Sequence, residues 1–388
     1  MSISVDDLRA AVESGAVHTV RVSFSDRLGN WRGKRVPAKV FLASSVGPDA
    51  APMGFCDGML VADVMCEVIQ ETPFSNYDTG YPDFHLYIGD SAIRPVGWSP
   101  GEVFVFGSAQ SLHHESLGVH PTNVLKAVEE RAAGMGAALS IKATLSGRLM
   151  KAPDQAVRID EWPDGSSWGV LGQVIDGLVA SGVEVETVAT GAETCFFSLT
   201  LGSGTPSNVA QDLVVAKNGI KEVISLAGIT ATFMTIPLRG IRPATLQFDL
   251  ALEGPVTPHA VDVLRRLDAA RPLLQPSVNA YKAGRHQPIS VRESERTTSI
   301  GGLTASAEAD PFTAIAVCIA ACLATEDPRA ASSDWIVADA RALAAETWLS
   351  DWLGNDLVDN AIPLAVQEGL LLAGSVTDLE VNRYWALG

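Results

Sequence analysis

Apolar and polar positions alternate with period two along several stretches of this chain, and that alternation carries most of the fold prediction. In AVHTVRVSFSDRLGNWRGKRV, residues 17–37, Val20, Val22 and Phe24 share one face until the run breaks at Arg27-Leu28-Gly29-Asn30. Alternation on both sides of a glycine-containing turn predicts a β-hairpin. In TLQFDLAL, residues 245–252, Thr245, Gln247 and Asp249 fall on one face and Leu246, Phe248 and Leu250 on the other, the signature of a half-buried strand. Further strands are predicted in GEVFVFGSA, ALSIKATLSGRLM, VEVETVATGAETCFFSLTL and TATFMTI.

Between these strands the apolar spacing lengthens to that of a helix. PTNVLKAVEERAAGMG places Val124, Leu125, Val128 and Ala132 on one face, with Asn123 as the expected N-cap and Gly134 as the expected stop. DPFTAIAVCIAACL, residues 310–323, is apolar around its whole circumference, so the helix it predicts is buried, with Asp310 as its cap and Pro311 in its first turn. The polar stretch at 152–167 reads as a surface loop. The order of elements is that of an α+β protein, with a small sheet domain over residues 1–110 and a larger domain over 111–388.

Composition narrows the function classes. With 47% hydrophobic and 19% charged residues the chain has ample material for a core and is not disordered. A net charge of −17, with no lysine or arginine cluster standing apart from acids, removes the main driving force for binding nucleic acid or an anionic membrane. No charge-free apolar run approaches about 18 residues, and MSISVDDLRAAVES has neither a basic flank nor an apolar signal core, so a cytoplasmic location is expected. Cys56, Cys66, Cys195, Cys318 and Cys322 are odd in number and scattered, which predicts core residues and no disulfide framework or zinc site. His113, His114 and His120 lie close in sequence and read as loop residues. GSGTPSN lacks the Lys-Ser/Thr of a phosphate-binding loop.

Six ordered segments resemble one family. SFSDRLGNWRGKRVP, YDTGYPDFHLYIGDSAIRPVGW, HPTNVLKAVEERAAGMG, DLVVAKNGIKEVISLAGITATFM, NAYKAGRHQP and DPFTAIAVCIAACLA, with the tail VTDLEVNRYWALG, are similar to signatures of the glutamine synthetases. The resemblance implies a small N-terminal β-grasp-like domain and a catalytic domain built on a curved antiparallel sheet. It also implies a ring-shaped homo-oligomer with composite sites between subunits, and ATP with magnesium or manganese as cofactors.

The family's chemistry holds divalent cations with carboxylates, because hard cations take oxygen ligands and neutralise the phosphates in transfer. At the matching positions this chain has Thr144 and Ser146, then Gly191 and Ser198. The family's lysine after ATFM is Ile236, its two strand histidines are Gln247 and Asp249, and two further arginines are Ala283 and Gly301. No metal site and no cofactor are therefore expected. Strand periodicity puts Thr144, Ser146 and Arg148 on one face, adding a cation where the family has anions. Arg148, Gln247, Asp249, Asn279, Lys282 and Arg296 are the candidates for binding a small amino or carboxylic acid. Asp57, which resembles the family's small-domain aspartate, and Arg296 are the candidates for catalysis. Three readings stay open: a pseudoenzyme that binds a metabolite, scaffolds or joins an active relative; a metal-independent enzyme acting on a small amino or carboxylic acid; and an ATP-dependent glutamate–amine ligase.

Overall fold

The computed structural model describes residues 3–46, 51–63, 66–88, 93–152, 155–156, 167–191, 195–238, 240–286, 288–329, 333 and 335–374. The tail from 375, Glu193 and most of the stretch 152–167 lie outside the described residues.

The N-terminal region begins with α1 (Val5–Glu13), whose Ser4 and Asp7 form a reciprocal capping box. The predicted hairpin follows as β1 (Thr19–Ser25) and β2 (Trp31–Pro37), paired antiparallel from Thr19 opposite Pro37 to Ser25 opposite Trp31. Next come α2 (Ala38–Ser44), β3 (Met53–Cys56), β4 (Asp83–Tyr87), β5 (Arg94–Pro95), β6 (Glu102–Phe106) and β7 (Ser108–Gln110). β6 joins β1 in parallel, giving a mixed sheet of order β2-β1-β6-β5, while β3, β4 and β7 form a second, antiparallel sheet. Leu8, Val20, Val22, Phe24, Phe41, Phe84 and Leu86 are fully or almost fully buried in one apolar cluster. The alternation read in the hairpin is thus the alternation of this core.

The larger region starts with α3 (Pro121–Gly134) and the long strand β8 (Ala138–Ala152). Its N-cap is His120 rather than Asn123, because Pro121 occupies the first helical position, where a missing N–H costs nothing. The helix also runs through Gly134 and ends at Met135, with Gly136 supplying the positive φ of +77°. Then come β9 (Gln155–Ala156), α4 (Ser167–Ala180), β10 (Val185–Thr190), β11 (Phe196–Leu201), α5 (Pro206–Leu226), β12 (Thr230–Thr232) and β13 (Thr245–Glu253). The predicted strand TATFMTI is paired only over β12, since Thr232 Oγ1 accepts the Met234 N–H and turns the chain away. After α6 (Ala260–Ala269), α7 (Arg271–Leu274) and α8 (Val278–Tyr281), β14 (Ser290–Glu293) and β15 (Thr298–Ser306) complete a curved, open antiparallel sheet of order β10-β11-β8-β13-β15-β14.

α9 (Pro311–Leu323) is buried at every position and is capped by Asp310, which accepts the Thr313 N–H at 2.7 Å. It packs on α3 and α5 behind the sheet, with α10 (Ile336–Ala342), α11 (Thr347–Leu353) and α12 (Asn355–Gly374) beyond it. The cysteines are free; Cys195, Cys318 and Cys322 are buried as expected, whereas Cys56 and Cys66 are exposed, because their strand end and turn lie at the surface. Among the described residues no helix is long and apolar enough to cross a membrane.

Candidate functional site

β13 buries Leu246, Phe248, Leu250 and Leu252 and turns Thr245, Gln247 and Asp249 to the open face of the large sheet, as its alternation predicts. Register then assembles a row of polar side chains. Gln247 lies opposite Thr144 of β8 on one side and Thr304 of β15 on the other, and Ser198 of β11 lies opposite Ser146. These five residues line a cavity of about 550 Å³, a size that suits a small-molecule ligand. Its floor is made of hydroxyls and one amide. Thr144 and Thr200 hydroxyls meet at 3.1 Å, and Ser146 Oγ accepts the Thr245 N–H at 2.7 Å while donating to the Thr245 carbonyl at 3.2 Å. Ser146 is 5% exposed, so its hydroxyl replaces rungs of the ladder at the head of β13.

The wall is cationic. Arg242 and Arg285 line the cavity, and the Arg242 guanidinium sits 4.0 Å from the Phe196 ring centroid, a cation–π contact that orients it. His286 also lines it, its side chain 2% exposed, with Nδ1 at 3.8 Å from Asp268 Oδ1. Burial lowers the His286 pKa, Asp268 opposes that shift, and Arg271 adds to it. Thr235 Oγ1, in a residue with no exposed surface, lines the same cavity. Neither it nor either His286 ring nitrogen has a hydrogen-bond partner among the described residues. A buried polar atom left unsatisfied costs about 1–3 kcal/mol, and two residues with such atoms in one lining make this cavity the candidate site.

No carboxylate lines this cavity among the described residues. Two nearby acids are engaged elsewhere. Glu308 accepts the Thr235 N–H at 2.6 Å and also the Ser277 hydroxyl, and Glu186 pairs with Lys142. Among the described residues no group of three or more His, Cys, Asp or Glu is arranged to hold a metal. Magnesium and manganese need charged oxygen ligands to offset their dehydration, and hydroxyls beside two guanidiniums do not provide them. The donor set therefore does not fit the metal–ATP assembly that the sequence resemblance implies.

Of the residues singled out in the sequence, Gln247 lines the cavity, as do Thr144, Ser146 and Ser198 at the family's ligand positions. The other candidates lie outside its lining. Arg148 is 1% exposed and holds the wall from behind, donating to the Arg242 carbonyl at 2.7 Å. Asn279 pins the chain at Ile236, accepting its N–H at 2.8 Å and donating to its carbonyl at 2.9 Å. Asp249 stands beside a bulge at Gly301, where a Cβ would lie 3.1 Å from its Oδ1. Gly191 packs against Phe196, Lys282 is exposed just past α8, and Arg296 is exposed in the turn between β14 and β15. Asp57 is buried in the N-terminal region, accepting the Ser75 hydroxyl at 2.5 Å, and burial raises its pKa. His120 is a core residue between Phe24 and Phe84, held by burial at a pKa of about 3, while His114 meets the Tyr87 hydroxyl at 2.6 Å. Arg242, Arg285, His286, Thr235 and Gln275 were not legible as site residues, because they come from irregular chain that carries no periodic signal.

No family model matches the chain. It is 26% identical over 246 residues to a glutamate–isopropylamine ligase of a Pseudomonas species, a match covering 59% of this chain and 53% of that protein. It is 27% identical over 134 residues to the gamma-glutamylethanolamide synthetase GlnA4 of Streptomyces coelicolor, covering 34% of this chain and 28% of that protein. The chain thus spans about half the length of the first relative and less of the second. Among solved structures, GmaS without ligand aligns with a TM-score of 0.75 at 18% identity over 98% of this chain and 100% of its own. A GmaS/ADP complex aligns at 0.77 and 17% identity over 99% of this chain and 100% of its own, and a novel glutamine synthase homolog at 0.74 and 16% over 96% and 98%. In fold, and in the sequence it shares with the two ligases, the chain is glutamine synthetase-like.

Proposed function

We propose that this chain is a glutamine synthetase-like shell, with an N-terminal domain over residues 1–110 and a catalytic-like domain over 111–388, whose cavity binds a small amino or carboxylic acid without a divalent metal. One observation carries the reading: a cavity of about 550 Å³ with a hydroxyl floor and the guanidiniums of Arg242 and Arg285, and no carboxylate among the described lining residues. Arginine forks suit carboxylates, and serine and threonine hydroxyls serve as neutral donors or acceptors. The names of the two relatives, a glutamate–isopropylamine ligase and a gamma-glutamylethanolamide synthetase, make L-glutamate the first ligand to try. A ligand-binding pseudoenzyme follows most simply, because phosphoryl transfer needs charge neutralisation that these residues do not supply. A second reading, a metal-independent enzyme acting on the same class of acid, is favoured by His286 in the cavity wall, with Asp268 3.8 Å from its Nδ1. In either case a cytoplasmic homo-oligomer is proposed.

The test is calorimetric titration of L-glutamate in buffer containing a chelator. Binding that is unchanged by added magnesium, and weakened at least about tenfold by Arg242→Ala, is the expected result. Binding that appears only with magnesium, or no binding at all, would overturn the reading.

A further inference from the structure

Two polar side chains of the cavity stand out because the fold spends nothing on satisfying them. His286 is held almost wholly out of solvent, and Thr235 is wholly buried, yet the two ring nitrogens and the Thr235 hydroxyl are without hydrogen-bond partners among the described residues. Gln275 and Ser146, in the same lining, are used structurally. Gln275 accepts from Arg271 Nε at 2.6 Å and donates to the Gly284 carbonyl at 3.1 Å, and Ser146 is committed to β13.

Asp268 and Arg271 are the charges that act on His286, and Arg242 and Arg285 share the cavity lining with it. Asp268, at the end of α6, approaches Nδ1 at 3.8 Å, and its Oδ1 also has no hydrogen-bond partner among the described residues. Arg271, at the start of α7, acts from the protein side, its guanidinium over the Tyr281 ring at 4.0 Å. Arg285 precedes His286 in the chain, and Arg242 lines the same cavity. Burial biases the imidazole toward its neutral form, Asp268 opposes that bias, and Arg271 reinforces it. A carboxylate entering the cavity would add a second negative charge beside the ring and favour its protonated form.

We propose that His286, with Asp268 behind it, is the residue that grips the ligand's carboxylate, and that it takes one proton from solution as the ligand binds. The neutral imidazole and a solvent proton become an imidazolium, which donates one N–H to the ligand carboxylate and directs the other toward Asp268; no covalent bond is made or broken. Thr235 Oγ1 provides an adjoining hydroxyl donor. Asp268 is a positioning residue and does not touch the ligand. This inference rests on the carboxylate-binding reading above and adds to it the group responsible and a proton stoichiometry.

The experiment is titration of L-glutamate at neutral pH in PIPES and in Tris, whose different ionisation enthalpies convert proton uptake into a difference in observed heat. The expected result is uptake approaching one proton per bound ligand. His286→Gln, which keeps an amide in place of the ring, should bind at least about tenfold more weakly and show no uptake. Asp268→Asn retains the ring and removes the counter-charge, so its uptake midpoint should move to lower pH; a merely structural role for Asp268 would leave that midpoint in place. Equal heats in the two buffers with binding intact, or uptake that persists in His286→Gln, would overturn the inference while leaving the binding reading standing. Absence of binding in the unmodified protein would remove both.

Discussion

Ser146, which the sequence resemblance sets at a metal-ligand position, uses its hydroxyl to bridge the backbone N–H and carbonyl of Thr245. Replacing it by alanine leaves that N–H unsatisfied in a nearly closed site, so Ser146→Ala is expected to destabilise the protein by about 1–2 kcal/mol in urea denaturation. A change below a few tenths of a kcal/mol would mean that the hydroxyl carries no structural role. The same residue shows what was and was not legible in the chain. Strand periodicity correctly put Thr144, Ser146 and Gln247 toward the open face, because facing is a local consequence of the pleat. It put Arg148 there too, yet a guanidinium has the length to fold back, and this one supports the Arg242 carbonyl from behind the wall. Lys282 and Arg296 match family signatures and carry the right charge, but neither property determines where a turn points.

At the scale of elements, the hairpin turn and α9 meet around buried charges. Ser25 at the end of β1 donates to Asp310 Oδ1 at 2.8 Å, and Lys217 of α5 donates to the carbonyls of Leu28 and Ala309 at 3.1 and 3.4 Å. Burial lifts the Asp310 pKa from 3.8 to about 6 and drops that of Lys217 from 10.5 to about 8. Because folded Asp310 holds its proton more tightly than the unfolded chain does, its contribution to stability falls as pH rises between about 4 and 6. Asparagine caps a helix as well as aspartate and does not titrate. Asp310→Asn should therefore remove a downward step of about 1–3 kcal/mol from the stability profile in that window, measured as the difference from the unmodified protein. Identical pH profiles would contradict the assignment. The elements themselves were largely legible: the hairpin, the β13 alternation and the wholly apolar α9 each state their environment in their own residues. The caps were less so, since the start of α3 at Pro121 and its end beyond Gly134 depend on which of several suitable residues the tertiary fold selects.

For the molecule as a whole, the N-terminal sheet pairs its four strands with β2 at one edge, while the cavity of the large sheet is lined by hydroxyls and has no carboxylate among its described lining residues. On the proposed reading of a shell that binds its ligand without a divalent metal, assembly is the preserved property, and a homo-oligomer of closed symmetry is expected. Light scattering should then return a mass several times the 40.9 kDa of one chain; a stable monomer at micromolar concentration would contradict this and remove any composite pocket involving Asp57. The central claim concerns what the cavity holds, and a crystal structure of the protein grown with L-glutamate, ATP and manganese addresses it most directly. The account predicts glutamate density with its carboxylate within hydrogen-bonding reach of Arg242 or His286, and no manganese anomalous peak in the cavity. A manganese peak there, or nucleotide bound through one, would contradict it.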